Sequence, residues 1–196
     1  KRVIVDKSMS TEDISELLQP SDIPQRFSFD PGLGKIICFV GLSGGVGTTT
    51  MAINYAFEKS QEEQVVLVDL AEINPDIARA LGLHRIEGRN EKITKTLYAS
   101  QGLPKQIQCD KYVFDLGSDL RHPLLQNADE IYVVTRASFN TIARLEALEL
   151  SPTVAIFNFA ERTRAQQRWR SQVEELFPRL TCINVPLDLK SFESAA

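Results

Sequence analysis

The stretch Ile36-Ile37-Cys38-Phe39-Val40-Gly41-Leu42-Ser43-Gly44-Gly45-Val46-Gly47-Thr48-Thr49-Thr50-Met51-Ala52-Ile53-Asn54-Tyr55-Ala56 decides the fold. Its first third is a continuous apolar run, the pattern of a strand covered on both faces. Its last third places apolar residues at helical spacing. Between them stand clustered glycines and then three threonines. Glycine admits positive φ and lets a ligand approach the backbone closely. N–H groups of such a loop, joined by those of the first helical turn, form a concave receptor for a phosphate. Ser43, Gly44, Gly45, Val46, Gly47, Thr48, Thr49 and Thr50 are therefore the expected phosphate-binding residues. A glycine-rich turn that holds nothing is the plain alternative. The position after the first core strand and the threonine run favour the phosphate.

Outward from this stretch the chain keeps one rhythm. Strands are expected at Lys35–Val40, Gln64–Asp69, Lys111–Asp115, Glu130–Val134, Thr153–Asn158 and Thr181–Asn184, all short apolar runs without polar alternation. Helical patterns fall near Thr49–Lys59, Asp76–Leu81, Lys92–Ala99, Asn140–Leu148 and Arg164–Phe177. Such alternation specifies an α/β fold with a doubly wound, mostly parallel sheet over residues 35–196. Residues 1–34 differ. A short strand, Arg2-Val3-Ile4-Val5, precedes a helix start at Ser10-Thr11-Glu12-Asp13, and Pro20, Pro24, Pro31, Gly32 and Gly34 then break regular structure. This segment reads as a strand-helix remnant plus linker. The absence of a Met at Lys1 suggests a processed fragment.

Composition narrows the function classes. Of 196 residues, 43% are hydrophobic and 24% charged, ordinary values for a globular core and wrong for disorder or a coiled coil. The longest apolar run, Ile36–Leu42, is far shorter than the roughly 20 residues of a membrane-crossing helix. No charged-then-apolar leader opens the sequence, so secretion is not expected. A net charge of -4 argues against a whole-surface nucleic-acid coat. Cys38, Cys109 and Cys182 are dispersed within apolar stretches and read as buried thiols of a reducing compartment. His84 and His122 have no Cys or carboxylate at metal-ligand spacing.

Against the nucleotide-binding pattern G-x-x-x-x-G-K-[ST], the loop matches in part. Gly47 is the closing glycine, Leu42 stands at the opening position, Thr48 at the lysine and Thr49 at the Mg²⁺-binding hydroxyl. Ser43-Gly44-Gly45-Val46-Gly47-Thr48-Thr49-Thr50 resembles the deviant Walker A of the ParA/MinD ATPases, and within them the CpaE/TadZ branch. The likeness continues in order. Val66-Leu67-Val68-Asp69 with Asn74-Pro75-Asp76-Ile77-Ala78-Arg79-Ala80-Leu81-Gly82-Leu83 resembles the branch's second strand and following segment. Tyr112-Val113-Phe114-Asp115-Leu116 falls at its Walker B strand, and Ala128-Asp129-Glu130-Ile131-Tyr132-Val133-Val134-Thr135 resembles a further strand. Phe157-Asn158 and Val185-Pro186-Leu187-Asp188 fall at its base-proximal segments. The segment Val3–Ile14 resembles the end of a receiver-like domain, which that branch carries ahead of its ATPase-like part.

The resemblance implies a P-loop NTPase-like fold of the MinD type. It implies ATP or ADP with Mg²⁺, held by the loop, with Asn158 and Asp188 at the base and Thr49, Asp69 and Asp115 at the metal. Asp69 and Asp115 end apolar strands, where open α/β sheets meet ligands, although helix capping or loop bracing would place an acid there too. Three departures weigh against turnover. Ser43 and Thr48 replace the family's lysines, and Ala71 replaces its second acid. A lost charge-assisted contact costs roughly 1.5–3 kcal/mol in binding, and a lost transition-state donor about 10²–10³ in rate. The interval from Asp69 to Asp115 is short for the family, which puts its sandwich dimer in question. The implied role is localisation or assembly of a pilus or secretion system, with assembly proteins and a second copy of the chain as partners. The implied location is cytoplasmic, beside the inner membrane or the pole. An active partition-type ATPase and a nucleotide-free scaffold stay as alternatives. Residues 161–170 hold four arginines against one acid, and Arg164 and Arg168 share a helical face. That face is solvated or meets a partner, acidic lipid or DNA.

Overall fold

A computed structural model describes residues 32, 34–71, 75–84, 90–104, 107–148, 151–160 and 163–186. The expected N-terminal strand and helix, most of the linker, Asp188 and the first two residues of the basic segment lie outside them. The elements in chain order are β1 (Lys35–Gly41), α1 (Thr48–Lys59), β2 (Val65–Asp69), α2 (Ile77–Ala80), β3 (Asn90–Lys92), β4 (Leu97–Gln101) and β5 (Lys111–Asp115). A 3-10 turn (Pro123–Asn127), β6 (Glu130–Thr135), α3 (Phe139–Glu146), β7 (Val154–Ala160), α4 (Arg164–Leu176) and β8 (Thr181–Pro186) follow. The eight strands form one sheet in the order β3-β4-β2-β5-β1-β6-β7-β8. Every pairing is parallel except β3 with β4. Among the described residues no helix is long and apolar enough to cross a membrane.

The α/β, doubly wound architecture expected from the sequence is the one observed. Strand β1 is central, and its side chains alternate between two apolar clusters. Ile36, Cys38 and Val40 join Val66, Phe114, Leu124, Leu145 and Val173 on the face under the 3-10 turn, α3 and α4. Ile37 and Phe39 join Leu67, Val113, Ala52, Ala56 and Ile77 on the face under α1 and α2. Continuous apolar runs in β1, β2 and β5 thus follow from double coverage. The small Ala52 and Ala56 let α1 sit close on the sheet, where both are fully buried.

Two expectations are corrected. Residues Lys92–Ala99 are not helical; they end β3, turn, and enter β4. The Thr94 hydroxyl accepts the N–H groups of Thr96 (3.3 Å) and Leu97 (3.0 Å), so a local side-chain turn stands where the helix would pass. Leu97 and Ala99 then bury themselves beside β2. The second correction concerns β8, which forms but is an edge strand without full coverage. Ile183 is 42% exposed there.

Phe39 is the pivot of the α1 face. It is almost fully buried, stacks on Tyr132 at 4.7 Å between ring centroids, and tilts against Tyr55 at 5.4 Å. Phe39→Ala is expected to lower unfolding free energy by about 3–5 kcal/mol, read from urea denaturation midpoints. A loss below about 1 kcal/mol would mean the ring packs loosely.

Candidate functional site

The order of strands reverses around β1. The chain leaves β1 toward β2 on one side, then passes from β5 over β1 to β6 on the other. Open α/β sheets bind ligands at the carboxyl ends of strands beside such a reversal. Here the Gly41 N–H donates to the Gly117 carbonyl (2.7 Å) and the Leu42 N–H to the Val134 carbonyl (2.9 Å). The loop after β1 is therefore tied to both neighbours at its first step.

A cleft of about 660 Å³ opens at this place. Ser43, Gly44, Gly45, Gly47, Thr48, Thr49 and Thr50 line it on one side, and Ala71, Asp76, Leu116, Gly117, Ser118 and Asp119 on the other. Gly47 has φ 89°, the left-handed region, and precedes α1 without a side-chain cap. No acid sits in the first turn of α1. The first N–H groups of this helix thus face the cleft with no carboxylate competing for them. Gly41 must be glycine for packing. A Cβ there would lie 2.5 Å from Thr48 Oγ1 and 2.9 Å from Val46 Cγ2. Thr48, at the position of a loop lysine, is a buried side chain packed onto the end of β1.

Val46 is buried in the α1-side core and is the inner anchor of the loop. Its carbonyl accepts a 2.8 Å hydrogen bond from Asn158 Nδ2, which reaches over from β7. Asn158 is itself buried, and a Cβ on Gly47 would collide with its amide. The structure thus places Asn158 beneath the loop as a brace.

Asp69 and Asp115 stand opposite one another in the parallel β2–β5 register. Both are buried. The carboxylate of Asp69 accepts the Ala71 N–H (3.1 Å) and the Ile77 N–H (2.9 Å), so it braces the segment after β2 and caps α2. Burial, with Asp115 and Asp76 adding repulsion, pushes its pKa up to about 6 despite those two N–H donors. Asp115 Oδ1 accepts the Gly117 N–H at 3.0 Å. Its Oδ2 is buried and lacks a hydrogen-bond partner. Burial raises the Asp115 pKa, while the nearby Thr49 hydroxyl and the Gly117 N–H oppose the rise. The Thr49 hydroxyl acts on this carboxylate as a side-chain hydrogen-bond donor that favours the charged form, while Oδ2 has no hydrogen bond of ordinary geometry.

These residues fit a phosphate with Mg²⁺. An orphaned, fully buried carboxylate oxygen next to a threonine hydroxyl is costly alone and is satisfied by a cation. Among the described residues no group of three or more His, Cys, Asp or Glu could hold a metal by itself. Mg²⁺ is usually held by one or two carboxylates with waters and substrate phosphates, and Asp115 with the Thr49 hydroxyl is a donor set of that kind.

The structure brings together the glycine loop, Thr49 and Asp115. It leaves Asp69 on backbone N–H groups and Arg164 and Arg168 exposed on α4, away from the cleft lining. Sequence reasoning missed the segment Leu116–Asp119 and the acid Asp76 in the cleft. It also missed Arg136, whose Nη2 donates to the Gly45 carbonyl at 3.1 Å, and Arg144, whose Nη1 donates to the Leu42 carbonyl. The available signal was position, since Leu116 and Arg136 directly follow the carboxyl ends of β5 and β6.

Neither the protein-family models nor the curated proteins contain a match to this chain. Solved structures do. A ParA family ATPase from Chlorobium tepidum matches with TM-score 0.66 at 19% identity, over 81% of this chain and 87% of the other. A McdA–ATP complex from Cyanothece gives TM-score 0.63 at 13% identity, over 83% and 86%. The septum site-determining protein MinD with Mg-ADP from Pyrococcus horikoshii gives 0.61 at 14%, over 79% and 82%. The chain therefore has the fold of the ParA/MinD-type P-loop ATPases.

The raised pKa of Asp69 has a definite sign. Between the ordinary carboxylate value and about 6, the folded chain keeps a proton that the unfolded chain has released. The stability from this group is fully present below pH ~4 and is lost as pH rises through about 6. Unfolding free energy of the ligand-free chain, relative to Asp69→Asn, should fall by up to about 3 kcal/mol across that window. Chemical denaturation at a series of pH values measures it. A flat difference would mean that Asp69 titrates normally.

Proposed function

We propose that this chain is a ParA/MinD-type nucleotide-binding protein of the CpaE/TadZ kind, with a degenerate phosphate loop. It binds ATP or ADP with Mg²⁺, hydrolyses little or none, and serves the localisation or assembly of a pilus or secretion machine. The observation that carries the nucleotide part of this reading is the buried Asp115 Oδ2, without a hydrogen bond of ordinary geometry beside Thr49, under a helix whose N-cap, Gly47, makes no side-chain cap. Structural neighbours caught with ATP and with Mg-ADP support the ligand class.

Each residue then has a physical task. Loop N–H groups and the first turn of α1 receive the phosphates. Thr49 and Asp115 hold the cation, which when bound neutralises charge on the phosphates. Asp69 keeps the segment after β2 in place. Asn158 keeps Val46, and with it the loop, at a fixed depth. What the cleft lacks is equally informative. Ser43 and Thr48 carry no charge toward the γ-phosphate, and Ala71 gives no carboxylate to orient a water. Phosphoryl transfer rests on such positioning and charge stabilisation, so binding is retained and turnover is lost.

Among the described residues the cleft lining holds Asp76 and Asp119 and no basic side chain, which is the observation favouring a nucleotide-free scaffold as the second reading. The partner-facing surface we assign to Arg164 and Arg168, one turn apart on exposed α4, meeting an acidic partner, lipid surface or DNA. A second copy of the chain and assembly proteins complete the partners, on the cytoplasmic side of the membrane or at a pole.

Thermal-shift titration with ATP-Mg²⁺ tests the reading. Saturation near 100 times Kd stabilises by about 2.7 kcal/mol, a shift of roughly 5–10 °C for a chain of this size. Phosphate release should lie about 10²–10³-fold below that of a lysine-bearing relative. Asp115→Asn should abolish the Mg²⁺-dependent part of the shift. Robust hydrolysis that disappears in Asp115→Ala overturns the proposal, and no shift with either nucleotide supports the scaffold.

A further inference from the structure

The segment after β2 carries an acid that neither the fold nor the phosphate loop accounts for. Asp76 lines the cleft together with Ala71, Thr49 and Asp119. Its backbone is fixed from both sides. The next residue, Ile77, is fully buried, and its N–H donates at 2.9 Å to the buried Asp69 carboxylate. The Asp76 carbonyl accepts the Ala80 N–H at 2.8 Å, the first bond of α2. An acid at an N-cap ordinarily accepts an N–H of the first helical turn. Asp76 stands at the N-cap of α2, yet its side chain makes no such bond. Arg79 Nη2 lies 3.0 Å from Asp76 Oδ1, but the arginine side chain is 82% exposed. A pair so open to water contributes little and holds the carboxylate weakly.

The carboxylate bears on the corner of the cleft where a cation fits. Its charge repels both buried acids, Asp69 and Asp115, and raises the pKa of each. Asp119, across the same lining, is turned to its own loop, where Oδ1 accepts the Arg121 N–H at 3.0 Å. A group of acids alone only repels. The independent sign of a ligand is Asp115, fully buried, with Oδ2 lacking a hydrogen bond of ordinary geometry beside the Thr49 hydroxyl of the lining. Mg²⁺ dehydrates reluctantly and keeps several waters, and those waters need acceptors. Among the described residues no three acids or other metal-binding side chains converge for direct ligation. A further acid on the cleft wall therefore works through water.

We propose that Asp76 is the outer carboxylate of the Mg²⁺-nucleotide site, accepting hydrogen bonds from waters on a cation held by Asp115 and Thr49, on the wall where Ala71 offers no acid. It touches the cation's waters and not the reacting atoms, so it is a positioning residue. The sign of its effect depends on the cation. Without Mg²⁺, Asp76 meets the phosphates as a like charge and opposes them. With Mg²⁺, the hydrated ion stands between the two and both are satisfied.

The inference rests on the nucleotide reading above, and one experiment separates the two. Calorimetry on the full chain measures ATP binding in EDTA and across a Mg²⁺ titration, for wild type, Asp76→Asn, Asp76→Glu and Arg79→Gln. Asp76→Asn should raise the Mg²⁺ concentration at half-maximal tightening by about 10-fold. In EDTA the same variant should bind ATP roughly 2–3-fold tighter than wild type, through lost repulsion across solvent. Asp76→Glu should recover most of the Mg²⁺ response, because a water-mediated contact tolerates the longer side chain. Arg79→Gln should keep the wild-type response. A wild-type Mg²⁺ response in Asp76→Asn overturns this inference alone. So does an equal loss with and without Mg²⁺, which marks a structural brace, or the same loss in Arg79→Gln, which traces it to the ion pair. A wild-type chain that binds no ATP, or binds it regardless of Mg²⁺, overturns the inference together with the reading beneath it.

Discussion

The hydrogen bond from Asn158 Nδ2 to the Val46 carbonyl holds the mouth of this sheet together. It joins the end of the first loop to β7, far along the chain, and both residues are buried. A buried carbonyl without a partner is expensive, so the loop has one depth at which this group is satisfied. Gly47 makes the approach feasible, since any side chain there would strike the amide. With Val46 locked, the N–H groups that follow enter α1 in a fixed direction. The rest of the site, Thr49 against Asp115 included, is set from that point.

Charge gives the second constraint. The strand ends place Asp69 and Asp115 in register, and the cleft adds Asp76 and Asp119. Of these, Asp69 has a structural occupation, since it receives two backbone N–H groups and caps a one-turn helix. Asp115 has half of one, since a single oxygen is satisfied. The difference assigns the two acids different work, although both end an apolar strand in the same way. Arginines from the segment after β6 then close the loop from outside, so the loop is gripped from β6 and β7 together.

The legible parts were those with a strong local signal. Strand β5 was readable to the residue, because a run with both faces buried leaves no ambiguity of period. The loop was readable because glycine and threonine are informative at a strand-to-helix turn. Residues Lys92–Ala99 were not. Their periodicity suits a helix, and only the Thr94 turn and the burial of Leu97 beside β2 select strands. Edge position was equally hidden, and β8 shows it in the exposure of Ile183. Asn158 illustrates the same limit at the site. An asparagine at a strand end has several uses, and its partner here is 112 residues away.

By itself the sequence determined the α/β alternation, the phosphate-shaped loop and the absence of lysines at Ser43 and Thr48, because each is a property of consecutive residues. The tertiary structure decided which acid is occupied and which is open, that Asn158 braces the loop, and that Arg136 and Arg144 reach it. Those are contacts between residues distant in the chain. Strand order and burial set them, and neither is encoded in any single stretch.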